Sequence, residues 1–124
     1  LLKSLPVPYI IDHMGTVKAA KGIDQPNFNA LLDLARSDEK CWVKCCGFER
    51  ASATGKPFHD ALPFAQKLVQ AIPDRVLWGT DWPHPNVSVM PNDGELVDLI
   101  PLFAEDPVAQ KKILVDNPAR LYKF

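Results

Sequence analysis

Apolar positions change period several times along the chain, and each change marks an element. From Val7 to Asp12 (VPYIID) they run almost unbroken up to His13-Met14-Gly15, the profile of a parallel strand buried on both faces. Asp24 and Gln25 then precede Pro26, and Phe28, Leu31, Leu32 and Ala35 recur at helical spacing. This predicts a capped helix with proline in its first turn. A second apolar run, Cys41 to Cys46, predicts a strand ending at Gly47. After the polar loop ERASATGKP, the residues Phe58, Ala61, Leu62, Ala65, Leu68, Val69 and Ile72 fall on one helical face. Pro63 is tolerable there if the helix proper begins near Asp60. Arg75 to Gly79 (RVLWG) is the third expected strand, and Asp93 is expected to cap a helix carrying Leu96, Leu99, Ile100 and Phe103. A last helix is expected to start at Asp106-Pro107, to carry Ile113 and Leu114, and to stop before Asn117-Pro118, because proline interrupts helical hydrogen bonding.

The resulting order of strand, helix, strand, helix, strand, helix, helix is the rhythm of a parallel α/β protein. No internal repeat or interdomain linker divides it, so residues 1–124 read as parts of one domain. Each expected strand ends in a polar cluster: Asp12-His13-Met14-Gly15, Gly47-Phe48-Glu49-Arg50 and Thr80-Asp81-Trp82-Pro83-His84. Ligands and catalytic groups sit at the carboxyl ends of parallel strands, so the three clusters are expected to share one site.

Composition narrows the partners. The 124 residues carry 14 basic and 15 acidic side chains that are interspersed, which leaves no footprint for nucleic acid or an anionic membrane. No apolar stretch approaches the ~20 residues that span a bilayer, and the opening LLKSLPVPYI lacks the order of a secretory signal. A cytoplasmic setting is the expectation. Cys41, Cys45 and Cys46 lie too close together for a disulfide framework. Adjacent strand residues point to opposite faces, so they read as buried packing cysteines rather than a metal or redox set. The chain starts at a leucine and almost directly with a strand, from which a fragment of a larger domain is expected.

Asp81 is the first candidate for chemistry. It follows Gly79-Thr80 where a strand runs out, and Trp82-Pro83 after it forbids an ordinary helix start for it to cap. A carboxylate so placed can deprotonate a water or bind a metal. His13 has the same address on the first strand. Arg50 is either half of an ion pair with Glu49 or a clamp for a substrate carboxylate, which its planar fork suits. His84 and Asn86 are substrate or supporting contacts, with loop packing as the alternative. His59 reads as solvated surface, and Trp42, Trp78 and Trp82 as core and wall.

The segments IIDHMG, GFERAS, DRVLWGTDWPHPN and VDNPARLY together resemble the carboxyl-terminal part of the amidohydrolase-related, metal-dependent hydrolase family of the amidohydrolase superfamily. Within it they are most similar to lactonases of aromatic-compound degradation. The resemblance implies an α/β fold in which this chain is about three β/α units, the C-terminal segment of a (β/α)8 TIM barrel. It implies hydrolysis of a carboxylated lactone, with Asp81 as general base on water and His13 polarising the substrate carbonyl. Arg50 would hold a substrate carboxylate, and His84 would match the histidine that follows the Asp-Trp-Pro of the family. Gly79 would let the backbone pass closely while Trp82-Pro83 and Pro85 stiffen the loop. The family's His-x-His pair on the first barrel strand has no counterpart here, so the chain alone is expected to be inactive without the N-terminal barrel strands or a completing chain. No cofactor is expected for a lactonase. Two alternatives stand beside it: a zinc-dependent decarboxylase of an aromatic acid, with His13 and Asp81 as ligands, and a non-catalytic piece that needs a partner chain.

Overall fold

The computed structural model describes residues 1–124, and its strands β1 (Tyr9–Ile11), β2 (Cys41–Cys45) and β3 (Val76–Trp78) form one parallel sheet in chain order. Register places Ile11 beside Val43 and Val43 beside Val76. Each strand is shorter than its apolar run. Pro8 has no N–H for a ladder at the start of β1, and Asp12 turns away at its end to meet Lys44 Nζ at 2.6 Å.

The crossovers are helical. α1 (Pro26–Ser37) links β1 to β2, and the short α2 (Phe48–Ala51) and longer α3 (Leu62–Ala71) link β2 to β3. After β3 come α4 (Asp93–Val97), α5 (Ile100–Phe103), α6 (Pro107–Lys111) and α7 (Asn117–Tyr122). Cys41, Val43, Cys45 and Val76 point to one face of the sheet, where they share a core with Phe28, Leu32, Phe64, Leu68, Ile100 and Phe103. Phe28 meets Phe64 edge-on at 5.0 Å, and Phe48 stacks on Phe103 at 5.5 Å. Burying such side chains stabilises by about 1.5–3 kcal/mol each, so helical periodicity was a sound guide to α1 and α3. Phe64 is a core residue that the one-face pattern omits. The opposite sheet face carries Ile10, Trp42 and Lys44, and the Arg120 guanidinium lies 5.1 Å over the Trp42 ring.

Several boundary expectations are corrected. Gln25 occupies the N-cap position of α1 ahead of Pro26, but neither it nor Asp24 supplies a side-chain cap. The Gln25 side chain is buried and satisfies itself on the preceding loop, donating to Lys18 O at 3.0 Å and Gly22 O at 2.7 Å. Asn92, not Asp93, caps α4 by accepting from Gly94 N at 2.8 Å. The last helix does not stop before Asn117-Pro118. A wide π turn over Lys112–Asp116 precedes Pro118 and absorbs its missing N–H, so the helix resumes as α7. Ile113 is buried there, whereas Leu114 is exposed. Trp42 is buried as expected, but Trp82 is 76% exposed and is not core. No helix is long and apolar enough to cross a membrane.

Polar anchors fix the amino end of the sheet. Arg75 Nη1 donates to the carbonyls of Ala35, Asp38 and Cys41 at 2.7–3.0 Å. The buried Asn117 amide donates to Pro73 O at 2.9 Å and Val76 O at 2.8 Å, which ties α7 to β3.

Candidate active site

The backbone leaves every strand through a left-handed residue. His13 (φ 55°) lies two residues past β1, Gly47 (φ 73°) two past β2 and Asp81 (φ 68°) three past β3. Glycine suits the middle position because φ is positive and a Cβ there would sit 3.4 Å from the Cβ of His13. His13 and Asp81 hold this conformation without that freedom, at about 1–3 kcal/mol each, a strain that gathers at functional sites. Gly79 is a correction: it has no positive φ, and a Cβ there would make only an ordinary contact with Lys44 at 3.5 Å. The turn that aims the carboxylate is made by Asp81 itself.

These turns bring three side chains together from three strands. His13 Nε2 lies 2.9 Å from Asp81 Oδ1, and Arg50 Nη2 donates to Asp81 Oδ2. Arg50 thus pairs with Asp81 and not with its neighbour Glu49. Each carboxylate oxygen keeps a second lone pair that can accept from water. A small pocket of about 60 Å³ opens beside the cluster, lined by His13, Thr16, Lys18, Gly47, Arg50 and others. Lys18 Nζ donates to Arg50 O at 2.9 Å, so a second cation stands at the pocket. Thr16 and Lys18 escaped the sequence reading because they lie in a loop without periodicity; their only signal is closeness to His13.

The other site residues divide. His84 is buried, with Nε2 2.7 Å from Asp93 Oδ1 and Nδ1 3.4 Å from Glu49 Oε1, and it lies outside the pocket lining. Asn86 (φ 62°) is exposed and also outside that lining, and His59 is exposed. All three cysteines are free and buried.

A cation would find one set of donors here. A His13 ring nitrogen, Cys46 Sγ and an Asp81 oxygen lie within 4.8 Å of one another. Burial pushes the Cys46 thiol up to about 12, with the Asp81 charge adding to the rise, so with no cation bound it stays a neutral thiol. Arg50 already supplies positive charge to Asp81. These three side chains are the ones that would hold an ion here, with Arg50 competing for Asp81.

Comparison with known proteins gives the wider context. The amidohydrolase family model matches residues 1–124. The 4-sulfomuconolactone hydrolase of Hydrogenophaga intermedia is 47% identical over 124 residues, covering 98% of this chain and 41% of that protein. The 2-pyrone-4,6-dicarboxylate hydrolase of Comamonas testosteroni is 45% identical over 128 residues, covering 96% of this chain and 42% of that protein. The crystal structure of a probable 2-pyrone-4,6-dicarboxylic acid hydrolase from Acinetobacter baumannii, with citric acid bound, superposes with a TM-score of 0.80 at 26% identity. It is matched over 99% of this chain and 46% of its own. The chain therefore spans about two fifths of the length of the curated relatives it matches.

Proposed function

This chain belongs to the amidohydrolase family, and from that premise we propose that it is the carboxyl-terminal part of a barrel enzyme that hydrolyses a carboxylated lactone. The observation that carries the reading is the meeting of His13, Arg50 and Asp81 from three strand ends. The parallel sheet and the partial coverage of the relatives support three β/α units of a (β/α)8 barrel. The remaining strands come from further sequence of the same protein or from a completing chain. Relatives named as hydrolases of 4-sulfomuconolactone and 2-pyrone-4,6-dicarboxylate support the substrate class, a lactone bearing anionic groups.

In this reading Asp81 takes a proton from water as the water oxygen bonds to the lactone carbonyl carbon. His13 donates to the oxygen on which negative charge develops. When the carbonyl re-forms, the ring C–O bond breaks and the departing oxygen receives the proton held by Asp81. Arg50 holds a substrate carboxylate through its remaining N–H donors, with Lys18 adding charge and His84 and Asn86 supporting the loop. An activated ester needs less electrophilic assistance than an amide, so imidazole and guanidinium donors suffice and no step requires a metal.

The test is a rate assay of the full-length protein on 4-sulfomuconolactone and 2-pyrone-4,6-dicarboxylate before and after chelation and dialysis. Hydrolysis of either that survives chelation is expected. Loss of activity with the metal and its return with zinc would instead make His13 and Asp81 ligands and favour the decarboxylase alternative.

A further inference from the structure

Glu49 is the charged group that the proposed chemistry leaves unused. Its side chain is only 1% exposed, yet neither carboxylate oxygen has a hydrogen-bond partner. A buried carboxylate without a counter-charge costs several kcal/mol. The partner within reach is the imidazole of His84, itself 3% exposed, whose Nδ1 lies 3.4 Å from Glu49 Oε1. The other ring nitrogen, Nε2, faces Asp93 Oδ1 at 2.7 Å. The ring is thus flanked by a carboxylate on each side.

The placement of this pair relates it to Asp81. Asp81 and His84 bound one tight turn, both with positive φ, closed by His84 N donating to Asp81 O at 2.8 Å. Glu49 and Arg50 are neighbours on α2. One short helix therefore grips both ends of the turn: Arg50 holds the carboxylate of Asp81, and Glu49 faces the ring of His84.

We propose that Glu49 is a positioning residue whose buried carboxylate holds the ring of His84 and so fixes the turn that aims Asp81. The inference rests on the reading of Asp81 as the base and extends it to the support behind it. Glu49 does not line the pocket beside His13, so its loss acts through the turn and not on substrate contact.

Steady-state kinetics and long-range proton–nitrogen spectra of the full-length protein test it. Glu49→Gln is expected to move the ring-nitrogen resonances of His84 and to lower kcat by about 10- to 100-fold, the usual range for a supporting partner. KM should stay within about threefold, because no ground-state contact is removed. Glu49→Asp, which keeps the charge, should recover turnover relative to Glu49→Gln. Glu49→Gln with unchanged kcat overturns the proposal, and so do unmoved His84 resonances. Where Glu49→Gln does not fold, His84→Gln decides from the other side of the contact, and unchanged kcat there overturns the proposal as well. If no lactone is hydrolysed but the His84 resonances depend on Glu49, the hydrolysis reading falls and the Glu49–His84 contact stands.

Discussion

The two ends of the sheet treat buried polar groups in opposite ways. At the amino end they are matched: Arg75 serves three carbonyls, Asn117 serves two, and Tyr9 Oη donates to Asp38 Oδ2 at 2.8 Å. Burial together with that bond to Asp38 pushes the Tyr9 hydroxyl above its ordinary range. At the carboxyl end they are not. Glu49 Oε1 and Oε2, Arg50 Nε, Trp78 Nε1 and His84 Nδ1 are buried without hydrogen-bond partners, and His13, Asp81 and His84 hold left-handed backbone. Satisfied polar groups define a single packing, whereas unmet polar capacity and strain are retained where a ligand is to be bound. The amino end thus holds the fold together, and the carboxyl end carries the unmet polar groups and strain that suit the proposed site.

Crossed substitutions give the largest test of that division. Asp81→Asn in the full-length protein is expected to lower turnover by at least ~100-fold, because the amide keeps the shape and loses the base. Its stability should change by no more than about 1 kcal/mol, since asparagine tolerates left-handed backbone and its oxygen still accepts a hydrogen bond. Asn117→Ala at the other end should do the reverse. Removing the donor to two carbonyls is expected to cost about 2–3 kcal/mol of stability with kcat per folded molecule unchanged. Denaturant titration and turnover on both variants check the pair. If Asn117→Ala loses kcat while stability holds, the division between the two ends is broken.

The same contrast explains how much was legible in the sequence. Apolar periodicity located the three strands, α1 and α3, because burial on one face is what sets that period. Asp81, His13 and Arg50 stood out because polar clusters ended apolar runs, and the structure brings these three together. Long-range pairing was not legible. Nothing local tells that Gln25 turns back to Lys18 and Gly22, that Asp93 meets His84 instead of capping its own helix, or that Asn117 reaches Val76. Glu49 entered only as an ion-pair alternative for Arg50, and its own burial was not legible because burial of a charge depends on elements far apart in the chain. The continuation through Pro118 was hidden for another reason: a π turn changes the hydrogen-bond register that the proline rule assumes.

A smaller effect sharpens the picture at the pocket. Arg50→Met is expected to weaken binding of a dicarboxylate lactone more than that of a monocarboxylate analogue. A charge-assisted hydrogen bond contributes about 1.5–3 kcal/mol, or roughly 10- to 150-fold in KM for the dicarboxylate. Steady-state kinetics with both compounds measures the difference. Equal losses would confine Arg50 to its contact with Asp81 and remove it from substrate recognition.

The smallest effect comes from Asp60, whose carboxylate accepts from the loop that follows α2. Burial raises its pKa, but bonds from Ser52 Oγ, Ala53 N and Thr54 outweigh this and hold the carboxyl below its ordinary value. A depressed folded-state pKa means that the unfolded chain takes up the proton first. The contribution of Asp60 to stability is therefore complete well above the ordinary aspartate value of about 3.9 and is lost as pH falls below it through the folded-state value. Asp60→Asn should cost roughly 0.5–1 kcal/mol at neutral pH, a small figure because the loop is wet and the charge is screened. The difference between the two proteins should shrink as pH falls below about 4, where the unfolded chain takes up its proton before the native carboxylate does. Denaturant midpoints of both proteins from about pH 7 down to 3 would show it. A gap that stays constant across this range would mean that Asp60 acts through shape alone, and that the ordered loop over residues 52–60 does not depend on its charge.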